Sequence, residues 1–222
     1  MIDSTGGIQD EADGGGYLAR AVLDASALDS IREINAEFLT LLAQQHAAAP
    51  GTAPFGLRTD AVAGVAALDA RGLRAAAGCP YTLFNLRFED AGFWAGLASG
   101  NGRGAAADAG AAAAFARTAV FLAWHLALNS ELTAALAFGM TGPVQQAWRR
   151  LRLSALDRAA TEALPHLRAR WGGHPSFWPK LVEAAAPPDR ARASAVRLLG
   201  LQLLAADGIR ADAAVAEARP GR

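Results

Sequence analysis

The sequence predicts an all-α protein in which two similar helical modules, joined in one chain, pack as an intramolecular pseudo-dimer with an extra C-terminal helix. Alanine and leucine dominate the 222 residues and β-branched residues are scarce, which favours helix by intrinsic propensity. When the chain is aligned with itself at an offset of 83, residues 38–92 match residues 121–175 without a gap. Phe-Leu and Phe-Gly pairs recur at this offset and a Phe-Trp pair recurs one residue later, which indicates a tandem duplication. Two joined copies can pack like faces about a pseudo-twofold axis, as a dimer does.

Each module has a similar order of predicted helices, and the segments follow from that order. The predicted segments are a leader at 1–16, a first module at 17–98, a linker at 99–110, a second module at 111–186, and a C-terminal helix and tail at 187–222. The leader and the start of the linker are rich in glycine, which is typical of disordered or flexible chain.

The first helix has the clearest pattern. Residues 28–48 place Ile34 and Phe38 on one apolar stripe, and Asp24 or Ser26 is expected to cap the helix. The remaining predicted helices are 58–69, 71–78, a short one after Asp90, 112–128, 143–153, 154–170, 176–185 and 189–207, and the segment from Pro80 to Arg87 is either helical or extended.

Three pairs of large apolar residues recur at matching positions of the two modules. Because recurrence of an aromatic residue suggests a structural anchor, we predict that these residues pack the modules together. The six residues are Phe38, Phe55 and Trp94 in the first module and Phe121, Phe138 and Trp178 in the second.

Charge is balanced overall but uneven along the chain. The 21 Lys and Arg residues are matched by 21 Asp and Glu residues. Residues 28–100 hold five Arg against seven acidic residues, whereas residues 138–182 hold seven Lys and Arg against two acidic residues. The second module therefore has the local basic charge of a nucleic-acid binder, while the chain as a whole does not.

A cluster of arginines is the candidate DNA-binding site of the second module. Two short helices at 143–153 and 154–163 would approximate a helix-turn-helix pair whose arginines contact phosphates and guanine edges. The alternative is a solvated face that pairs with the acidic first module or leader. Arg170 aligns with Arg87, which favours a structural ion pair or cap for both. The candidate DNA-binding residues are Arg149, Arg150, Arg152, Arg158, Arg168 and Arg170.

Residues that would build a catalytic or metal site are few and scattered. The four His residues form no HExxH motif, no serine lies in a nucleophile elbow, and Cys79 is the single cysteine. We therefore expect a non-enzymatic protein without a cofactor. The chain lacks a secretion signal and an uninterrupted apolar stretch of about 20 residues, so we also expect a cytoplasmic location and no membrane contact.

An ordered set of motifs covers residues 28–98. INAEFLTLLAQ at 34–44 is followed by Phe-Gly-Leu at 55–57, by spaced apolar residues, and by LRFED at 86–90 with Trp94 soon after. In this order the motifs resemble those of the FlhD family, the smaller subunit of the bacterial flagellar master transcriptional activator. The second module matches the same pattern more faintly.

The resemblance implies a fold, a partner and a function. FlhD-like proteins are helical and dimeric and assemble with a larger zinc-containing partner, FlhC, which carries much of the DNA binding. This chain would then be a transcriptional regulator or regulatory subunit that acts on promoter DNA mainly through an FlhC-like partner, with weak DNA contact alone. The alternative is a protein-interaction adaptor of a flagellar or secretion system, with the same fold and no DNA binding. A small-molecule sensor with a pocket between the modules is a third hypothesis.

Overall fold

Helices account for 73% of the structure and strands for 3%, so the predicted all-α class is confirmed. The computed structural model describes residues 23–100 and 110–217. The predicted leader at 1–16 and nearly all of the predicted linker lie outside the described residues. The elements in chain order are α1 (Ala25–Ala48), α2 (Thr59–Ala66), α3 (Ala70–Ala76), β1 (Phe84–Asn85), α4 (Ala91–Ala98), α5 (Ala111–Asn129), α6 (Glu131–Phe138), α7 (Gly142–Arg150), α8 (Leu156–Ala163), β2 (Arg168–Ala169), α9 (Phe177–Ala185) and α10 (Arg190–Glu217).

Local sequence signals account for most helix boundaries. The Asp24 carboxylate accepts a hydrogen bond from the amide of Ala27 at 2.7 Å, so Asp24 is the N-cap of α1. The predicted helix at 154–170 is wrong in its second part, because α8 ends at Ala163 and a 3₁₀ turn with Pro165 follows. Proline lacks the amide that the next helical turn would need, and the chain then turns into β2.

The two halves of the chain, residues 23–98 and 111–186, exchange their last helices. Helix α4 of the first half packs on α7 of the second, and α9 of the second half packs on α2 and α3 of the first. Helices α1 and α5 pack against each other, and β1 pairs antiparallel with β2. Each half therefore completes its packing with a helix from the other half.

Aromatic side chains join the halves at the centre of the core. Phe115 of α5 contacts Phe38 and Phe84, with ring centroids 5.6 and 4.8 Å apart. The ring centroids of Trp94 in α4 and Trp148 in α7 lie 4.1 Å apart, and both side chains are fully buried. Aromatic pairs at such distances add about 0.5–1.5 kcal/mol beyond the burial of their area. The core is thus continuous across the two halves.

Burial corrects the ungapped alignment over the first helix of each half. The offset of 83 places Phe121 on the fully buried Phe38, yet Phe121 is 38% exposed. An offset of 85 brings the burial patterns into register, because two residues correspond to about 200° of rotation around a helix. At that offset Leu28, Ile31, Ile34, Phe38, Leu41 and Leu42 of α1 correspond to Ala113, Ala116, Ala119, Ala123, Leu126 and Ala127 of α5, all of them buried.

Helix α10 packs along α9 and receives one side chain from the first half. The Tyr81 hydroxyl donates to the carbonyl of Val196 at 3.1 Å, where Gly200 leaves room for the phenol ring. On the next turns of α10, the Trp171 indole donates to the Asp207 carboxylate at 2.9 Å. These contacts dock the C-terminal helix onto both halves.

Replacing Gly200 with alanine is expected to loosen the docking of α10. A β-carbon at Gly200 would lie 1.9 Å from the Tyr81 hydroxyl oxygen, and the fully buried ring has no free direction of movement. We expect the free energy of unfolding, measured with urea, to fall by about 1–3 kcal/mol. The matched control is Gly208→Ala in the same helix, because nothing lies within 4 Å of a β-carbon there and alanine favours helix.

Cys79 provides a second measurement of the same change. It lies beside a cavity of about 10 Å³ that α10 lines through Ala193 and Arg197, and burial raises the pKa of its thiol to about 11. Since the thiolate is the reactive form, a thiol reagent should modify the native protein slowly at pH 8. Gly200→Ala should react faster than the wild type and Gly208→Ala. Equal rates in all three would contradict the steric argument.

Helix α5 is long and apolar enough, by length and composition, to cross a membrane. Within this fold it packs against α1, α6, α7 and α8, and 44% of its most apolar 18 residues are buried. A helix in the core of a globular protein can have the same apolar composition as one that crosses a membrane.

Candidate functional site

The candidate DNA-binding arginines follow one another along the second half but do not share one environment. Arg149 and Arg150 end α7, Arg152 follows it, and Arg158 lies on α8. A 3₁₀ turn at Leu153–Ala155 joins the two helices. Arg168 and Arg170 lie in β2 and directly after it, beyond the end of α8. Their partners decide which of the six are available to a ligand.

Arg170 is buried, so its assignment to a DNA-binding surface is wrong. Its guanidinium donates to the Thr82 hydroxyl at 3.2 Å, to the carbonyl of Ala137 at 3.2 Å, and to the carbonyl of Phe138. The two carbonyls have no partner within the helix, because they lie at the C-terminal end of α6, where a cation is favourable. Burial lowers the pKa of Arg170 to about 10, which still leaves it charged at neutral pH. Arg170 is therefore a cap that joins α6 to the first half.

Arg87, the residue that aligns with Arg170, also has a structural partner. Its guanidinium forms an ion pair with Asp90 and lies 4.7 Å from the ring centroid of Phe93. Both arginines also offer their backbone carbonyl to a tryptophan, since the Trp94 indole donates to Arg87 and the Trp178 indole to Arg170, each at 2.8 Å. The two contacts have the same donor and acceptor types in both halves.

Three further arginines of the cluster bind protein groups. Arg149 forms a salt bridge with Glu131 at 2.7 Å. Arg158 is half-buried and donates to the carbonyl of Leu97 at 3.3 Å, at the end of α4. Arg168 is exposed, and its guanidinium donates to the carbonyls of two residues in its own turn. The acidic partner of Arg149 thus lies in the second half, whereas the alternative to DNA binding placed it in the first module or the leader.

Arg150 and Arg152 are the two cluster arginines that are exposed and have neither a salt bridge nor a side-chain hydrogen bond to any described residue, whereas the exposed Arg168 donates to carbonyls of its own turn. Of the six candidate DNA-binding arginines, two are therefore exposed and unpaired among the described residues, and Arg149 and Arg168 are exposed but already hydrogen-bonded to protein groups. Most of these partners are backbone carbonyls, which no sequence pattern identifies.

Most predicted packing residues lie in the core. Phe38, Trp94, Phe138 and Trp178 are at most 1% exposed, and Phe55 is partly buried against Phe38. Phe121 is the exception, because its side chain lies on the side of α5 that faces away from the core. The buried residues of α5 match those of α1 at an offset of 85 and not 83.

Exposed apolar side chains lie on the outer side of α5, where the sequence predicted packing for Phe121. Phe121 and Leu128 of α5 are 38% and 44% exposed, with the partly buried Trp124 between them. The Trp124 indole donates to the carbonyl of Leu151 at 3.1 Å, two residues before Leu153, which is 60% exposed. We call Phe121, Trp124, Leu128 and Leu153 the apolar face.

No group of three His, Cys, Asp or Glu side chains suited to a metal ion occurs in the described parts of the chain. A shallow groove lined by Arg117, Asp157, Arg158 and Thr161 lies between α5 and α8 and is wide open to solvent. Ligand sites usually enclose most of their ligand, and this groove does not.

No family model, no curated protein and no solved structure matches this chain.

Proposed function

We propose that this chain is a non-enzymatic, FlhD-like transcriptional regulator or regulatory subunit of the cytoplasm that acts on promoter DNA mainly through an FlhC-like protein partner. In this proposal the two halves are diverged copies of one module, and they form a pseudo-dimer within a single chain. The proposal combines the motif order of residues 28–98 with the packing of the halves.

The exchange of end helices is the observation that carries this proposal. FlhD-like proteins are dimeric, and a fused pair should pack like faces about a pseudo-twofold axis. The strand pairing is consistent with such an axis, because Phe84 pairs with Ala169 and Asn85 with Arg168. Residues 84 and 85 lie 84 positions before residues 168 and 169, and at this offset, which is one more than that of the sequence alignment, each strand residue pairs with the counterpart of the other.

Backbone conformation supports the same relation. Arg87 and Trp171, also 84 positions apart, both have positive φ angles, of 60° and 52°. Positive φ is uncommon for residues other than glycine. Gly56 and Gly139, 83 positions apart, have φ angles of 72° and 71°. The recurrence of positive φ angles at spacings of 84 and 83 positions favours two related halves.

The arginine environments favour a partner over direct DNA binding. Arg150 and Arg152 together would neutralise two phosphates, for which the affinity should fall with salt at a log–log slope of about −2. A surface with four to six phosphate contacts would show a slope of about −4 to −5. We therefore assign promoter recognition chiefly to the partner.

The test is purification of the tagged full-length chain from its native host, with mass spectrometry and zinc analysis of what co-purifies. We expect a stoichiometric zinc-containing partner, and a complex that binds promoter DNA at salt concentrations where the chain alone does not. A chain that binds DNA alone with a slope near −5 would contradict the assignment to the partner. A chain that purifies without any partner would reduce the resemblance to one of fold.

A protein-interaction adaptor is the second candidate, and the apolar face favours it. An exposed apolar surface with polar surroundings is typical of protein–protein contact, and the net charge of zero does not attract DNA. The same purification separates the two functions. Flagellar or secretion components without a DNA-binding complex would support the adaptor.

A further inference from the structure

Two residues of the apolar face, Phe121 and Leu128, are not required by the fold. At the offset of 85 that brings the burial of α1 and α5 into register, Phe121 corresponds to Ala36 and Leu128 to Ala43. The same layer of helices therefore forms in the first half with alanine at both positions. A large apolar side chain that stays exposed to water loses the free energy that burying its apolar surface would give. Their presence on α5 indicates a contact outside the chain.

The spacing of these residues defines the shape of the contact. Trp124 and Leu128 follow Phe121 by three and seven positions, which places all three on one side of α5 over two helical turns. The hydrogen bond from the Trp124 indole to the carbonyl of Leu151 places the chain that follows α7 beside this stripe, and the exposed Leu153 comes two residues later in that chain. Such stripes bind amphipathic helices, which present apolar residues at the same spacing.

Arginines border the stripe on its α7 side. Arg149 donates to the carbonyl of Ala127, next to Leu128 in the chain, at 3.4 Å. Arg150 and Arg152 flank Leu151 and are exposed. Glu131 is bound to Arg149, so the border as a whole keeps a positive charge. A complementary ligand therefore carries negative charge beside its apolar residues.

We propose that the apolar face binds an acidic amphipathic helix of a partner protein. The inference deepens the proposed function, and it rests on that function in assuming that the chain acts through a protein partner. Phe121 and Leu128 would pack against the apolar side of that helix, while Arg150 and Arg152 would form ion pairs with carboxylates that border its apolar side. DNA is a poor occupant, because phosphates and sugars offer little to phenyl and isobutyl groups.

The experiment is selection of helical peptides from a displayed random library on the full-length wild-type chain, with counter-selection on the Phe121→Ala/Leu128→Ala double variant. Both substitutions install the residue that α1 has at the corresponding position, and alanine favours helix, so the variant is expected to fold. Circular dichroism and urea unfolding verify this. Leu198→Ala is the matched control, since Leu198 on α10 is 48% exposed, close to the 44% of Leu128.

We expect the enriched peptides to be acidic, with apolar residues three, four or seven positions apart. They should bind the double variant at least about tenfold more weakly than the wild type, as loss of central contacts does. Arg150→Glu/Arg152→Glu should also weaken binding about tenfold, and added salt should weaken binding to the wild type. Leu198→Ala should bind as the wild type does.

Four outcomes would overturn the inference. The enriched peptides could be neutral or basic, or could bind the double variant equally well. Phosphatidylglycerol vesicles could bind the wild type and not the double variant, which would identify a membrane as the occupant. Sedimentation equilibrium could show a dimer of this chain that the double variant abolishes, which would identify a second copy.

Comparison with the purification from the native host separates this inference from the proposed function. A partner that co-purifies equally with the wild type and the double variant would retain the proposed function and remove the apolar face as its docking site. Absence of any partner would remove the proposed function, while the peptide selection would still decide the chemistry of the face.

Discussion

Arg170→Ala is expected to lower the free energy of unfolding by about 2–4 kcal/mol. The substitution removes a buried guanidinium that donates to the Thr82 hydroxyl and to two carbonyls at the end of α6. Thr82 also donates to the carbonyl of Ala137 through its amide and hydroxyl, so the carbonyl of Phe138 is the acceptor left unsatisfied. A buried unsatisfied acceptor costs about 1–3 kcal/mol, and the lost packing adds to it.

Arg168→Ala is the matched control for Arg170, because Arg168 lies two residues away on the exposed side of the same segment. Its guanidinium contacts only carbonyls of its own turn among the described residues, so we expect a change within about 0.5 kcal/mol. Urea unfolding followed by circular dichroism measures both variants. Equal effects of the two substitutions would contradict the capping role of Arg170.

Trp94→Ala is expected to lower the free energy of unfolding by about 3–5 kcal/mol, as truncation of a buried tryptophan does. Trp94 is fully buried, lies 4.1 Å from Trp148 of the other half, and donates its indole hydrogen to the carbonyl of Arg87 at 2.8 Å. The cavity would therefore open at the contact between α4 and α7. The measurement is again urea unfolding.

Two variants separate the causes of the Trp94 effect. Trp94→Phe retains most of the apolar volume but loses the indole hydrogen bond, so its effect should be smaller than that of alanine. Trp124→Ala removes a partly buried tryptophan that also donates to a carbonyl, and should cost less than Trp94→Ala. If Trp124→Ala destabilised the protein more, the centre of the core would not lie between α4 and α7.

The helices were largely predictable from sequence because local physics determines them. The apolar stripe of α1 and the cap at Asp24 are short-range signals, and the structure has both. The end of α8 is harder to predict, because Ala163 and Leu164 continue a helical pattern up to Pro165. The register of α5 does not follow from self-alignment, because identical residues at one offset carry no information on which side of the helix is buried.

The candidate site was less predictable, because its decisive contacts are long-range. Arg170 and the carbonyl of Phe138 are 32 positions apart, and every residue has a carbonyl, so sequence does not single out this acceptor. The apolar face depends on which side of α5 points outward, and that is set by its packing against α1, α6, α7 and α8. The one relevant sequence signal is that alanines around Phe121, and not Phe121 itself, continue the buried positions of α1.

The exchange of end helices has a consequence for how the protein is made. Helix α9 completes the packing on α2 and α3, yet it is synthesised roughly one hundred residues after them. The first half therefore leaves the ribosome with an apolar surface that stays uncovered until α9 has emerged. Contacts so distant in sequence slow folding, because a long loop must close before they form. The nascent chain is thus exposed to proteases and chaperones for longer than its mature packing suggests.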